Sequence, residues 1–168
     1  TSDAQVAAFL TRNLGGEVDL LELLGGIFGC STLAAQTADG QQLFGRNFDW
    51  NPCEAMIVYA EPHSGYASVS TVNMSFISAA GVPLSLLPDG IQALIALYAP
   101  LDGMNAAGLA VSVNMIQDDA TIDQQTGKPG LTTTTAVRLL LNQAATVEEA
   151  VALLEAYDLH GSMGMMIH

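Results

Sequence analysis

Hydrophobic positions keep different periods on the two sides of residue 30. On the first side, Val6, Phe9, Leu10 and Leu14 fall on one helical face behind a Ser2/Gln5 capping box, and Gly15 with Gly16 ends the run. Glu17 to Leu24 repeats a short helical pattern and stops at Gly25 and Gly26. The spacing predicts an N-terminal helical hairpin.

From Cys30 onward the pattern becomes that of strands. "CSTLAAQ" reads as a strand, "TADGQQ" as a hairpin turn built on Asp39-Gly40, and "LFGRNFDW" as the returning strand. Met56 to Ala60 and Ala67 to Met74 are further strands, Asp89 to Tyr98 is a helix, and "DGMNAAG" turns the chain into the strand "LAVSVNM". Gln117 to Gly130 is polar and acidic, holds Gly127 and Pro129, and reads as a surface loop. Two helices follow, from about Thr132 to Gln143 and from Thr146 to about Tyr157. Thr146 and Glu149 form a capping box for the second, with Val147, Val151 and Leu154 as its expected apolar stripe. "SMGMMIH" starts like a buried strand, so the expectation is that the chain holds the first part of a larger domain. Strands grouped ahead of adjacent helices predict an α+β layered sheet with helices outside it.

Half of the 168 residues are hydrophobic, enough for the core of one domain. Four cationic side chains stand against 17 carboxylates, and the net charge of -13 argues against a nucleic-acid partner, which needs clustered Lys and Arg. No apolar run reaches the roughly 20 residues a membrane span needs, because Pro88, Asp89 and Gly90 interrupt the longest candidate. Two cysteines make no disulfide framework and leave the compartment open. No cluster has metal-ligand spacing, and neither a metal nor a cofactor is expected.

The charge shortage makes Arg46 conspicuous. It stands 16 residues after Cys30, on the second strand of the predicted hairpin, where the turn folds it back beside the first. A guanidinium there favours the thiolate, the nucleophilic form of cysteine. Asp49 lies three residues further on, so strand alternation puts it on the face opposite Arg46 unless a bulge or twist intervenes. The thiol needs a base, and none of His63, His160 and His168 has motif spacing to Cys30. The remaining candidate is the α-amino group that cleavage between Gly29 and Cys30 would free, titrating naturally at about 7.7–8.0. Gly29 suits that position because it tolerates a strained backbone.

"GCSTLAAQ…GRNFDW" resembles the start of the mature chain in the N-terminal-nucleophile amidases, which include choloylglycine (bile salt) hydrolases, penicillin V acylases and acid ceramidase-type enzymes. "DGMNAAGLAVSVNM" is similar to a second block of that family, and "TTTTAVRLLLNQAATVEEAVALLEAYDL" more loosely to its paired helices. The blocks occur in order and cover most of residues 30 to 168.

The resemblance implies an αββα sandwich and hydrolysis of a linear, non-peptide amide through an acyl-cysteine intermediate. Carried over by position, Cys30 is the nucleophile and its freed amine the base; Arg46 tunes the thiol, Asp49 holds the amine, and Asn114 in "SVNM" helps bind the substrate carbonyl. It implies a small-molecule N-acyl substrate, conjugated bile acids first among candidates, and homo-oligomers by analogy. Residues 1–29 read as a pro-segment, as in precursors that cleave themselves ahead of the cysteine. A later asparagine and arginine are expected from the rest of the domain beyond residue 168. Acyl transfer with the same nucleophile and a catalytically inert fragment or binding module are the competing readings. A papain-type peptidase would need an orienting histidine. Asn105 reads as a turn residue, and the methionines at 56, 74, 104 and 115 as core filling before pocket lining.

Overall fold

The structure is a computed structural model that describes residues 29–114 and 122–161. The expected helices before residue 29, the start of the acidic loop and the final strand fall outside the described residues.

β1 (Gly29–Gln36) and β2 (Gln42–Asp49) form an antiparallel hairpin whose register runs unbroken from Gly29 opposite Asp49 to Gln36 opposite Gln42. The Gly40 N–H donates to Thr37 O at 2.9 Å and the Thr37 N–H to Gln41 O at 2.9 Å, closing a three-residue loop. Its last position sits at φ 87°, which glycine adopts without a Cβ clash.

β3 (Ala55–Ala60), β4 (Ser68–Asn73), β5 (Asp102–Asn105) and β6 (Ala110–Ser112) form an antiparallel sheet in chain order. Between β4 and β5 come α1 (Met74–Ala79), a 3-10 turn (Leu84–Leu86) and α2 (Asp89–Leu97). After the sheet, β7 (Gly130–Thr132) leads into α3 (Thr133–Gln143), then α4 (Val147–Leu154), then β8 (Asp158–His160), which pairs with β7 in parallel.

Alternation sorts the sheet into two unlike faces. Met56, Val58, Ser68, Ser70 and Val72 share one face by register, and the helices cover it. Val72 of the sheet packs with Met74 and Ile77 of α1, Leu84 of the 3-10 turn and Ala96 of α2 in one core cluster, while Val137 and Leu141 of α3 pack against Val113 in another. Val72, Val137 and Leu141 are at most 2% exposed, and burying each such side chain contributes about 1.5–3 kcal/mol. Gly103 leaves no room for a side chain between the sheet and α3: a Cβ there would lie 2.6 Å from Val69 O of β4 and 2.7 Å from Leu141 Cδ1 of α3. The opposite face carries Ile57, Tyr59, Val69 and Met104, all substantially exposed, together with Thr71 and Asp102. The β1–β2 hairpin lies against this second face through Arg46 and Asp102.

Several local expectations change. The strand expected through Met74 ends at Asn73, whose side chain accepts the Ser75 N–H at 3.0 Å and so caps α1 instead. "DGMN" is the strand β5 and not part of a turn; the reversal falls on 106–109, with Gly108 at φ 91°. The capping box of α4 forms, Glu149 N donating to Thr146 Oγ1 at 3.2 Å and Glu149 Oε2 accepting from Ala145 N at 2.7 Å. Its apolar stripe is different: Ala150, Leu153 and Leu154 face the core, while Val147 and Val151 are 65% and 52% exposed.

Candidate active site

Cys30 lies opposite Phe48 and Thr32 opposite Arg46, so these four side chains share the hairpin face that meets the sheet. Arg46 crosses to the sheet: its Nη1 donates to Asp102 Oδ2 at 2.6 Å and its Nη2 to Val113 O at 2.6 Å. The same Nη2 lies 3.4 Å from Cys30 Sγ. Asp102 is held in turn by the Thr71 hydroxyl, which donates to Oδ1. The side chains of Arg46 and Asp102 are 6% and 13% exposed, a desolvated pair with correspondingly weak screening. The guanidinium carbon also sits 4.9 Å from the centre of the Phe48 ring.

The surroundings of the sulfur are apolar. Cys30 shares a small pocket with Phe48, Trp50, Phe76, Leu101 and Val113. Phe48 and Trp50 stack with ring centres 6.2 Å apart, and Phe76 meets them edge-on at 5.9 and 5.0 Å. A larger cavity of about 510 Å³ opens between hairpin and sheet, lined among others by Phe44, Val69, Met104 and the Arg46–Asp102 pair. Met74 and Met56 belong to the core instead, and Met115 lies outside the described residues.

Asn114 is half buried, with Nδ2 3.5 Å from Thr32 Oγ1 and Oδ1 buried without a hydrogen-bond partner among the described residues. A hydroxyl both donates and accepts, so a half-turn of the amide keeps the Thr32 contact and exchanges the atom left free. Arg46 Nε is likewise buried and unpartnered. Two buried polar atoms of the site are thus left without a partner among the described residues.

Asp49 follows plain alternation. The register contains no bulge, and its exposed carboxylate accepts from Asn47 Nδ2 at 2.8 and 3.0 Å on the face away from Arg46. Its backbone is nevertheless opposite Gly29, beside the bond that precedes Cys30. Cys53 is exposed, and Cys30 and Cys53 are both free thiols. Asn105 takes a structural part, and His160 is satisfied by Asp123 at 2.8 Å. Sequence reasoning missed Asp102 and Thr71. A usable signal existed in the charge count, because a buried arginine in so acidic a chain calls for a carboxylate partner.

The family model of the linear amide C–N hydrolases, choloylglycine hydrolase family, matches residues 30–163. No curated protein matches the chain. Among solved structures, a mutant conjugated bile acid hydrolase from Clostridium perfringens is similar at TM-score 0.52 and 19% identity, over 78% of this chain and 39% of that one. Penicillin V acylase from Agrobacterium tumefaciens gives TM-score 0.48 and 21% identity, over 77% of this chain and 39% of that one. The mixed α/β architecture is that of part of an N-terminal-nucleophile hydrolase. The chain belongs to the choloylglycine hydrolase family of linear amide C–N hydrolases. It spans about 39% of the length of these solved relatives.

Proposed function

We propose that the protein hydrolyses a linear amide, an N-acyl amine such as a conjugated bile acid, with Cys30 as nucleophile. The observation that carries this reading is the Nη2 of Arg46, 3.4 Å from Cys30 Sγ and fixed by Asp102 and Val113 O. Hydrolysis of the Gly29–Cys30 peptide bond consumes one water and leaves a carboxylate on Gly29 and an amine on Cys30. The family match beginning at Cys30 supports residues 1–29 as a pro-segment.

The freed amine takes the thiol proton as sulfur attacks the substrate carbonyl. Arg46 offers an N–H to the charge on sulfur before attack. The amide N–H of Asn114, in the orientation where Thr32 donates to its oxygen, faces the developing oxyanion; such a donor is worth roughly 3–4 kcal/mol. The ammonium then protonates the departing amine, and water releases the acid from the acyl-sulfur bond. Asp49, whose backbone pairs with Gly29 in the ladder, is the carboxylate assigned to receive the new ammonium. The cavity between hairpin and sheet falls within the roughly 300–1,000 Å³ typical of small-molecule sites and accepts the acyl group.

The test is intact-mass analysis paired with release of glycine or taurine from conjugated bile acids, using the whole protein. Activity is expected to follow the fraction of chains beginning at Cys30 and to vanish in Cys30→Ala. Full activity in molecules with Thr1 still joined to Cys30 would end the proposal.

A further inference from the structure

Arg138 on α3 is 4% exposed, yet no carboxylate reaches it among the described residues, whose ion pairs join Arg46 to Asp102 and His160 to Asp123. Its Nε donates to Leu97 O at 2.8 Å, Nη1 to Ser68 Oγ at 2.9 Å and Nη2 to Ser70 Oγ at 2.8 Å. All three acceptors are neutral. The Leu97 carbonyl adds the negative end of α2, which offsets a fraction of a charge. Burial pushes the Arg138 guanidinium below its usual range, with nearby Tyr98 opposing the shift. Its fork holds more N–H donors than these acceptors use.

One helical turn on, Asn142 occupies the same face of α3, and its Oδ1 is buried with no hydrogen-bond partner among the described residues. Its backbone oxygen already accepts the Tyr66 N–H at 2.9 Å. Arg138 and Asn142 line one cavity of about 350 Å³ with Tyr59, Glu61, Leu97 and Tyr98. Glu61 is exposed, 3.4 Å from the Tyr59 hydroxyl. The cavity therefore presents an unneutralised cation, an unpaired acceptor and a carboxylate.

These three groups select among ligands. A bare anion would meet Arg138, and Asn142 too after a half-turn of its amide, but it would face the Glu61 carboxylate on a chain of net charge -13. A bare cation would meet Glu61 and be repelled by Arg138. A small zwitterion answers all three. We propose that this cavity binds a free amino acid, its carboxylate on the spare N–H groups of Arg138 and its ammonium on Asn142 Oδ1 and Glu61. Ser68 and Ser70 belong to the helix-covered face of the sheet, opposite the face that carries Asp102 and Arg46. The two sites are distinct, and this proposal stands independently of the reading of Cys30.

The experiment is calorimetric titration of the whole chain, in its Cys30→Ala form, with glycine as probe. Acetate and methylamine serve as the two half-ligands. Saturable glycine binding is expected, with each half-ligand weaker by roughly tenfold or more, the usual consequence of losing a charged hydrogen bond. Removing Arg138 would also strip Ser68, Ser70 and Leu97 of their donor, so Asn142→Leu and Glu61→Gln carry the test. Each is expected to weaken glycine severalfold while the circular dichroism spectrum stays unchanged. Absence of saturable glycine binding, acetate binding as well as glycine, or glycine affinity in the two variants unchanged from that of the parent chain would each overturn the proposal.

Discussion

The carboxylate of Asp102 and the guanidinium of Arg46 meet at 2.6 Å across the join between hairpin and sheet, with 13% and 6% of their side chains exposed. The pair does two things at once: it fastens the hairpin to β5 and aims Nη2 at Cys30 Sγ. Breaking one partner of a buried pair leaves a desolvated charge and costs about 3–5 kcal/mol. Asp102→Ala is therefore expected to lower the urea midpoint strongly, and Asp102→Asn, which keeps an acceptor for Arg46, to lower it less. Equal midpoints for the two variants would remove the charge from the explanation.

A second prediction concerns reach. Arg46 serves Asp102 through Nη1 and both Val113 O and Cys30 Sγ through Nη2. Lysine concentrates its donors at one point and cannot span these acceptors. Arg46→Lys is expected to slow alkylation of Cys30 on the order of tenfold, the worth of one hydrogen bond to a charged group. Cys53, exposed and without an Arg46 bond, is expected to react at its original rate and acts as the internal control. Site-resolved mass spectrometry of iodoacetamide labelling reads both thiols in one sample.

What the sequence made legible was local. The hairpin around Asp39-Gly40, the Thr146/Glu149 cap and the pairing of Cys30 with Arg46 all rest on short spacings, and the structure reproduces them. Asp102 was missed because its importance comes from a contact with a residue 56 positions away, which no short pattern encodes. The stripe on α4 was misread for a related reason. Val147, Val151 and Leu154 obey helical spacing, but the adjacent stripe through Ala150 and Leu153 lies nearer α3 and Leu109. Periodicity states that a face exists; neighbours decide which face is buried.

Asn105 provides a third test. It is 5% exposed, and Nδ2 donates to Leu141 O at 3.0 Å and Ala144 O at 2.7 Å, carbonyls at the end of α3. Its Oδ1 accepts from Ala107 N and Leu109 N, each at 3.0 Å, closing the turn before β6. One amide thus joins the β5–β6 turn to a helix terminus, a role that the simple turn assignment of Asn105 understated. Asn105→Ala strands buried partners on both sides, with an expected cost of roughly 2–4 kcal/mol. Asn105→Asp keeps the acceptor but loses the donors, so it is expected to be no better than alanine. Urea denaturation of the three proteins checks this order.

The last prediction is a dependence on pH. Asp158 is buried at 3% exposure, and its carboxylate accepts from Thr126 Oγ1 and N, Gly127 N at 3.0 Å and Lys128 N at 3.1 Å. Gly127 stands at φ 88°, which turns successive N–H groups towards one centre. The Thr126 hydroxyl foremost, then these backbone donors, hold the Asp158 carboxyl below the usual range against the opposing effect of burial. A depressed folded value means that the unfolded chain takes up the proton first as acid is added. The contribution of Asp158 is then complete above the unfolded value of about 3.9 and is lost as pH falls through the lower folded value. The difference in urea midpoint between the wild type and Asp158→Asn is expected to be constant from neutral pH to about 5 and to shrink steadily below about 4. A difference that stayed constant to pH 3 would show that the carboxylate charge contributes nothing, leaving the Thr126–Lys128 loop held by shape and neutral hydrogen bonds alone.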